Sequence, residues 1–429
     1  MSQNPSNNLN DNRKNARSRF SNSDKYNLRP LWIGLFIDIL GFYIIIPYLS
    51  KLIVVFNTNE VMIGLLLATN ALFSLFSAPM WGKLSDRYGR RPVLLIAEVG
   101  TFTAFLMVAF SNNLAMLFIA RMVDGIFGGN YPITKAIITD SVPPKERGVQ
   151  MTNIGVAHTL AGLVAPALGG FLAVILIAPE FPLFLSGLVA SGLSFITIII
   201  TIFFVKESWP KSLREKAEKE IKIKVKIRKN KDATFLLIQY FFHTLSFMTY
   251  VGTLAIFIGF LIGPEPAGIS ILLFVSGISR AIVRFTIFKP TIKLLGERNT
   301  TIFGLVILTV SFFLVGICGY FFRTELWIFI IIMVFASYGV SCARGIMMSK
   351  ITRTVTHKER GKINGMTSTM DSIGQVIGPL LGTFLIQEFP LYWYGIVMGL
   401  LAFVAFVMVF KKITPMQSKG FSIESSESH

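Results

Sequence analysis

The chain alternates between long apolar runs and short polar breaks. After a polar, Asn- and Ser-rich opening, apolar runs fall at Leu31–Leu52, Val61–Trp81, Val93–Phe110, Leu114–Ile138, Met151–Ala173 and Pro182–Val205. Residues 206–232 interrupt the pattern with a dense mixture of Lys, Arg and Glu. Six more runs follow, at Ala233–Ile262, Ala267–Phe288, Thr300–Tyr320, Leu326–Met348, Ile363–Ile386 and Leu391–Phe410. A spanning α-helix needs roughly 20 apolar residues, and these runs repeat at about that length. The pattern predicts an all-α membrane protein with twelve transmembrane helices. It divides the chain into a disordered cytoplasmic tail (1–30), a six-helix bundle (31–205), a basic cytoplasmic linker (206–232), a second six-helix bundle (233–411) and a Ser/Glu-rich cytoplasmic tail (412–429).

Composition fixes the class. Of 429 residues, 53% are hydrophobic and 15% charged, more apolar surface than a soluble fold of this length can hide. The net charge of +18 raises nucleic acid as a partner, but its distribution argues against one. Lys and Arg gather in alternate loops and in the tails, with no aromatic-interleaved basic patch. Of the 41 Lys and Arg residues, only Lys51 and Arg323 fall in the intervening loops. The positive-inside rule then places both termini in the cytoplasm. Cys318 and Cys342 lie in apolar runs, which argues against a disulfide or a zinc site. Residues 1–30 show no secretory signal. Within the linker, Leu213–Ile227 sets Ile221, Val225 and Ile227 among charges. That pattern is open to an interfacial amphipathic helix on anionic lipid and to a solvated linker.

The two halves are related. Thr139–Leu172 contains Lys145-Glu146-Arg147-Gly148 and then Pro166, Gly169, Phe171 and Leu172. Thr352–Leu385 contains Lys358-Glu359-Arg360-Gly361 and then Pro379, Gly382, Phe384 and Leu385, all at one constant shift. Two six-helix halves joined by a long linker suit a rocking transporter whose substrate binds near the midplane.

One stretch stands out, Gly82-Lys83-Leu84-Ser85-Asp86-Arg87-Tyr88-Gly89-Arg90-Arg91-Pro92, between the second and third runs. Its cations suit the cytoplasmic side, and its glycines permit a tight turn. Asp86 can pair with Arg87, Arg90 or Arg91, or cap a helix. From Gly82 to Pro92 the stretch closely resembles the cytoplasmic signature between helices 2 and 3 of the major facilitator superfamily, in the form found in its drug–proton antiporters. The resemblance implies two pseudo-symmetric six-helix bundles and a cytoplasmic gate at Gly82, Asp86, Arg87, Gly89, Arg90 and Arg91. Lys289 to Arg298 offers a degraded copy that keeps Gly296 and Arg298 and has no counterpart of Asp86.

Charges inside spans are expensive and default to function or paired packing. The deep ones are Asp38, Glu98, Arg121, Asp124, Arg280 and Asp371; Lys135, Asp140, Arg284, Arg344 and Lys350 lie nearer the cytoplasmic ends, within snorkelling reach. Asp38 sits about 12 Å into the first helix. Desolvation there favours its protonated form, which suits proton exchange near neutral pH. With Gly41 and Pro47 it resembles the helix-1 signature of the antiporter branch. Arg121 and Asp124 share a face of the fourth helix. Arg121, Gly125 and Gly129 resemble the superfamily's helix-4 motif, whose arginine is associated with proton coupling. Both an Asp38–Arg121 pair and an internal Arg121–Asp124 pair are open. Glu98 is open to lining the cytoplasmic vestibule and to pairing with an arginine of the loop, the latter preferred, and Asp371 is a candidate second coupling or substrate site. On the fifth helix Gly162, Pro166, Gly169 and Gly170 resemble the antiporter motif, with Ala165 where that motif has glycine. The plain reading is close packing of helices 5 and 8 and of 2 and 11. Tyr43, Tyr131, His243 and Arg280 are candidates to line a substrate cavity. With Arg280 and Arg284 on one helix face, that side of the cavity reads as basic and favours an anionic or zwitterionic substrate. His158 and His243 are candidate proton relays.

No Walker pattern, nucleophilic triad or metal-ligand cluster is present, so neither an ATP-driven pump nor an enzyme is expected, and no cofactor. The reading is a proton-coupled antiporter exporting a small organic molecule by alternating access, monomeric and in the plasma membrane. The alternatives are a uniporter or symporter for sugars or organic anions, and a non-transporting receptor or scaffold on the same fold.

Overall fold

The computed structural model describes residues 27–143, 147–175, 180–212, 214–215, 230–321, 325–355 and 359–411. The proposed amphipathic stretch Leu213–Ile227, both tails beyond these limits, and Lys145, Glu146 and Lys358 of the repeat lie largely or wholly outside them. Among the described residues every regular element is helical. Helix α1, Arg29–Val55, is interrupted by the 3₁₀ turn Ile46–Tyr48, where Pro47 cannot continue the ladder. Then come α2, Glu60–Tyr88; α3, Arg90–Ala109; α4, Leu114–Ile126 with Asn130–Ser141; α5, Arg147–Ile175; and α6, Phe184–Phe204. The second half has α7, Lys231–Ile262, and α8, which starts at Pro266–Ile282 and passes through the π-helical turn Val283–Ile287. The helix Phe288–Phe321 breaks at the non-helical Gly296, so it completes α8 and then forms α9 over 297–321. Helices α10, Leu326–Arg353; α11, Arg360–Glu388; and α12, Tyr392–Met408, end the fold.

Nine described segments are long and apolar enough to cross a membrane. One of them, Pro266–Phe321, is two helices; α12 is shorter, and α4 is made of two pieces, which brings the count to the twelve that the apolar runs predict. Side-chain caps start several helices. Asn59, Asn113 and Asn230 accept backbone N–H bonds at the heads of α2, α4 and α7. The outer surface is apolar, with Phe76 (71% exposed), Val174 (74%) and Phe203 (74%) facing outward. A surface of that kind needs lipid, not water, around it.

Packing repeats between the halves. Helix α1 packs on α5 and α6, α2 on α4, and α3 on α6; correspondingly α7 packs on α11 and α12, α8 on α10, and α9 on α12. Between the halves, α2 lies on α11 and α5 on α8. These are the two pairs that the small residues suggest. The exchange of equivalents, 2 with 11 and 8 with 5, is what a pseudo-two-fold axis between repeats produces.

The halves meet at the face opposite the α2–α3 turn. There Lys51 pairs with Glu265 at 2.6 Å, the Val61 amide donates to Gln387 at 3.1 Å, and Ser50 donates to the Ala255 carbonyl at 3.0 Å. Nearer the face that bears the turn, α4 packs on α1, α2, α3 and α5, and α10 packs on α7, α8, α9 and α11, each within its own half. Toward that face Lys135 of α4 reaches the Ser368 hydroxyl of α11 at 3.4 Å, across the halves.

Candidate functional site

The expected loop Gly82–Pro92 is almost entirely helix. Helix α2 runs on to Tyr88 and α3 begins at Arg90, leaving Gly89 alone as the turn. Gly89 has φ of 106°, a conformation only glycine adopts cheaply. Arg90 is buried (6% exposed) and bonds to Asp86 at 2.7 Å, to Asp140 of α4 at 2.9 Å and to the Ser85 hydroxyl at 2.7 Å. Arg91 donates to the Ile202 carbonyl of α6. Gly82 has open space around it, and the Arg87 guanidinium lies over the Tyr88 ring at 5.4 Å. Sequence reasoning missed Glu207. Its carboxylate accepts the Arg90 amide at 2.9 Å and the Arg91 amide at 3.1 Å, an N-terminal cap for α3 supplied from beyond α6. Trp209 donates to the Asp86 carbonyl at 3.1 Å and Arg214 to the Arg87 carbonyl at 2.9 Å, so the start of the linker straps the turn. Glu207→Gln is expected to lower stability by about 1 kcal/mol, because it replaces a charged cap by a neutral one. A melting curve of the purified protein checks this; an unchanged midpoint would mean the cap is dispensable.

The second half carries the same device with its charges exchanged. Gly296 has φ of 72° and sits between α8 and α9, as Gly89 does between α2 and α3. Glu297 follows it and is held in a two-pronged pair by Arg353 at 2.8 and 2.9 Å. The repeat shift sets Arg353 opposite Asp140. Acid and base thus trade places: Arg90–Asp140 in one half, Glu297–Arg353 in the other. The degraded copy, which lacks an Asp86, has its turn held by this different charge arrangement.

The acidic groups of the first half lie inside it. Asp38 accepts from the Asn130 amide at 2.8 Å, and its other oxygen is buried without a partner. Asn130 also reaches Thr101 at 3.4 Å. Arg121 pairs internally with Asp124 at 3.3 Å, and Asn70 donates to Asp124 at 2.8 Å. Of the two pairings open to Arg121, the structure has the internal one. Glu98 is buried (2% exposed) and takes the Thr201 hydroxyl at 2.7 Å, not a loop arginine. Helix α3 turns it toward the last turn of α6. Asn130 and Glu207 carry no sequence signal of their own: an Asn in a span and a Glu in a charged linker are common.

The space between the halves collects other candidates. Asp371 accepts from Arg344 at 2.9 Å and from the Tyr240 hydroxyl at 2.9 Å, an arrangement joining α7, α10 and α11. Arg344 lies over the Phe247 ring at 5.6 Å and is near enough to Tyr43, Tyr131 and His158 to act on them electrostatically. Tyr131 is 39% exposed and meets the exposed His158 edge-on, with centroids 5.9 Å apart. Tyr43 is half-buried and within the electrostatic reach of Arg280. His243 differs: it is fully buried in α7 and so lines no open space. The glycines of α5 seat its neighbours. A Cβ at Gly169 would strike the Ile44 carbonyl where α1 breaks, and one at Gly170 would strike Ser270 of α8. Pro166 lies within α5, and Gly162 faces Arg280 and the backbone near Gly277.

Comparison with known proteins agrees with this geometry. The family profile described as Major Facilitator Superfamily matches residues 31–238 and again 236–427, one match per half. The multidrug resistance protein MdtG of Proteus mirabilis (strain HI4320) is 26% identical over 381 residues, covering 86% of this chain and 91% of that protein. The class B tetracycline resistance protein of Escherichia coli is 26% identical over 405 residues, covering 91% and 96%. Among solved structures, a D-xylose-proton symporter superposes with a TM-score of 0.71 at 15% identity, covering 90% of this chain and 97% of that one. With both halves matched and the two-fold packing in place, the chain belongs to the major facilitator superfamily of membrane transporters.

Proposed function

We propose that this transporter is a proton-coupled antiporter that exports a small organic molecule by alternating access, with both termini in the cytoplasm of the cell whose plasma membrane it spans. The observation that carries the reading is Asp38. Its described partner is a neutral amide, so it can gain and lose a proton without breaking an ion pair. The Arg121–Asp124 pair lies on the adjoining α4, and Asp371 pairs with Arg344 between α11 and α10. The multidrug and tetracycline resistance proteins that it resembles support export as the direction. In this reading the structure is the inward-open state, and the Gly82–Arg91 network, with Asp86, Arg87, Arg90 and Arg91, forms the gate at the cytoplasmic end. The tails and linker keep the domain roles that the sequence suggests, and Lys206–Asp232 is a surface for anionic lipid.

The test is proton movement in proteoliposomes with a trapped pH dye, on addition of lipophilic cations, zwitterions and organic anions in turn. Antiport requires protons to move against the substrate. Movement in the same direction would make the protein a symporter, and substrate flux without protons a uniporter. At the gate, Asp86→Asn is expected to cut transport several-fold, roughly 1 kcal/mol of bias between states, and to leave folding intact. Folding survives because buried Arg90 keeps Asp140 as its counter-charge. Unchanged transport would remove Asp86 from the gate.

A further inference from the structure

Charges inside this protein are sorted into two places. Asp38, Glu98 and Asp124 lie within the first half, bonded to Asn130, Thr201, Arg121 and Asn70. The space between the halves holds Lys135 of α4, Arg280 and Arg284 of α8, and Arg344 of α10. Asp371, the carboxylate facing them among the described residues, is already engaged by Arg344 and Tyr240. Arg344, Lys135 and Arg284 all lie within electrostatic reach of His158 of α5.

Lys135 rests on neutral groups. Its ammonium lies over the Tyr131 ring at 4.2 Å and meets the Ser368 hydroxyl of α11 at 3.4 Å, across the gap between the halves. Arg280 is partly exposed and lies on the half–half boundary, where a Cβ at Gly162 of α5 would be 3.9 Å from its Nη2. One turn along α8, Arg284 comes much closer to Gly155: a Cβ there would be 2.5 Å from its Nη2. Gly155 on α5 thus leaves room for the Arg284 guanidinium at the boundary, and Arg280, one turn away on α8, lies beside Gly162. Neither Lys135 nor Arg280 makes an ion pair among the described residues. Like charges gathered at one boundary repel one another, and an anion that joins them relieves that repulsion. A guanidinium fork matches the two oxygens of a carboxylate or another oxyanion.

We propose that the cavity between the halves takes an organic anion, its oxyanion group on Arg280 beside Lys135 and Arg284 and its organic body against Tyr43, Tyr131 and Phe247. The proposal rests on reading this cavity as the substrate site of a transporter. It sets the site apart from one built for lipophilic cations, which would need an unpaired carboxylate facing the same space.

The test is binding, which requires no transport. The full chain in detergent is titrated with 1-naphthaleneacetate, 1-naphthalenesulfonate and 1-naphthyl phosphate, and with the neutral 1-naphthaleneacetamide and cationic 1-naphthylmethylammonium. The readout is the saturable rise in melting temperature. At least one anion is expected to bind about tenfold more tightly than the neutral and cationic probes. Arg280→Gln is expected to weaken that anion about tenfold or more, with Arg280→Lys recovering part of the loss, and Lys135→Gln to weaken it in the same direction. Equal or tighter binding of the cation, no binding by any anion, or an affinity unmoved in well-folded Arg280→Gln would overturn the proposal. The two readings fail separately. Proton-coupled movement of lipophilic cations would uphold antiport and sink the anion site. Arg280-dependent anion binding with no flux of any substrate would do the reverse.

Discussion

Asp38→Asn is expected to bring substrate-driven proton movement down by about tenfold or more, to the level of empty liposomes, while the protein still folds and binds substrate. The substituted side chain keeps a carbonyl oxygen for the Asn130 amide, so the hydrogen bond at 2.8 Å survives the change. What disappears is the proton site. Because Asp38 has no arginine partner in this state, its removal leaves no cation stranded; Arg121 stays with Asp124. That separates it from Asp124→Asn, which would leave a buried guanidinium without its charge partner and cost stability as well. The measurement is dye-reported proton release beside labelled-substrate exchange. Exchange retained with proton release lost would place coupling at α1. Proton release at the wild-type level would make Asp38 a packing carboxylate and turn attention to Glu98, which is likewise buried and bonded to a neutral hydroxyl.

The second large effect is expected from Gly277→Val. A Cβ at this position of α8 would lie 2.8 Å from the Leu163 Cα and 2.9 Å from the Gly162 carbonyl oxygen of α5. Both are backbone atoms and cannot rotate aside, so the helices must separate. Overpacking of this kind costs about 1–3 kcal/mol. The α5–α8 contact is one of the two most extensive helix pairs between the halves, so the cost falls on the state in which they pack. Since about 1.4 kcal/mol is a factor of ten in an equilibrium, transport is expected to fall about tenfold or more as the closed opposite face becomes disfavoured. Crosslinking with a bifunctional thiol reagent between cysteines placed at Lys51 and Glu265, whose side-chain ends meet at 2.6 Å here, reads the same shift as a lower yield. Gly192→Val is the control: nothing lies within 4 Å of a Cβ there, and no change is expected. If Gly277→Val transports normally, the α5–α8 contact is not part of the cycle.

Much of the architecture was legible in one dimension. Apolar runs of spanning length located all twelve helices, because a backbone in lipid must satisfy its own hydrogen bonds and a helix does so within one segment. The constant shift relating Pro166 to Pro379 and Gly169 to Gly382 announced the two-fold arrangement. Glycines on the fifth and eleventh runs pointed to the helix pairs that join the halves. The deep charges were also visible, since any ionisable residue inside a span is conspicuous.

Their partners were not. Asp38 meets Asn130, 92 residues away; Tyr240 meets Asp371, 131 residues away; Glu207 caps α3 from 117 residues beyond Arg90. Such meetings depend on how each helix is rotated and how far it is shifted along its neighbour, quantities that no local pattern of apolar and polar residues encodes. The tertiary structure alone decided that Arg121 turns to Asp124, that the basic loop shrinks to Gly89, and that the second half answers Arg90–Asp140 with Glu297–Arg353. Hydropathy sets where a chain crosses the membrane; side-chain chemistry between helices, settled only by packing, sets which charges face one another.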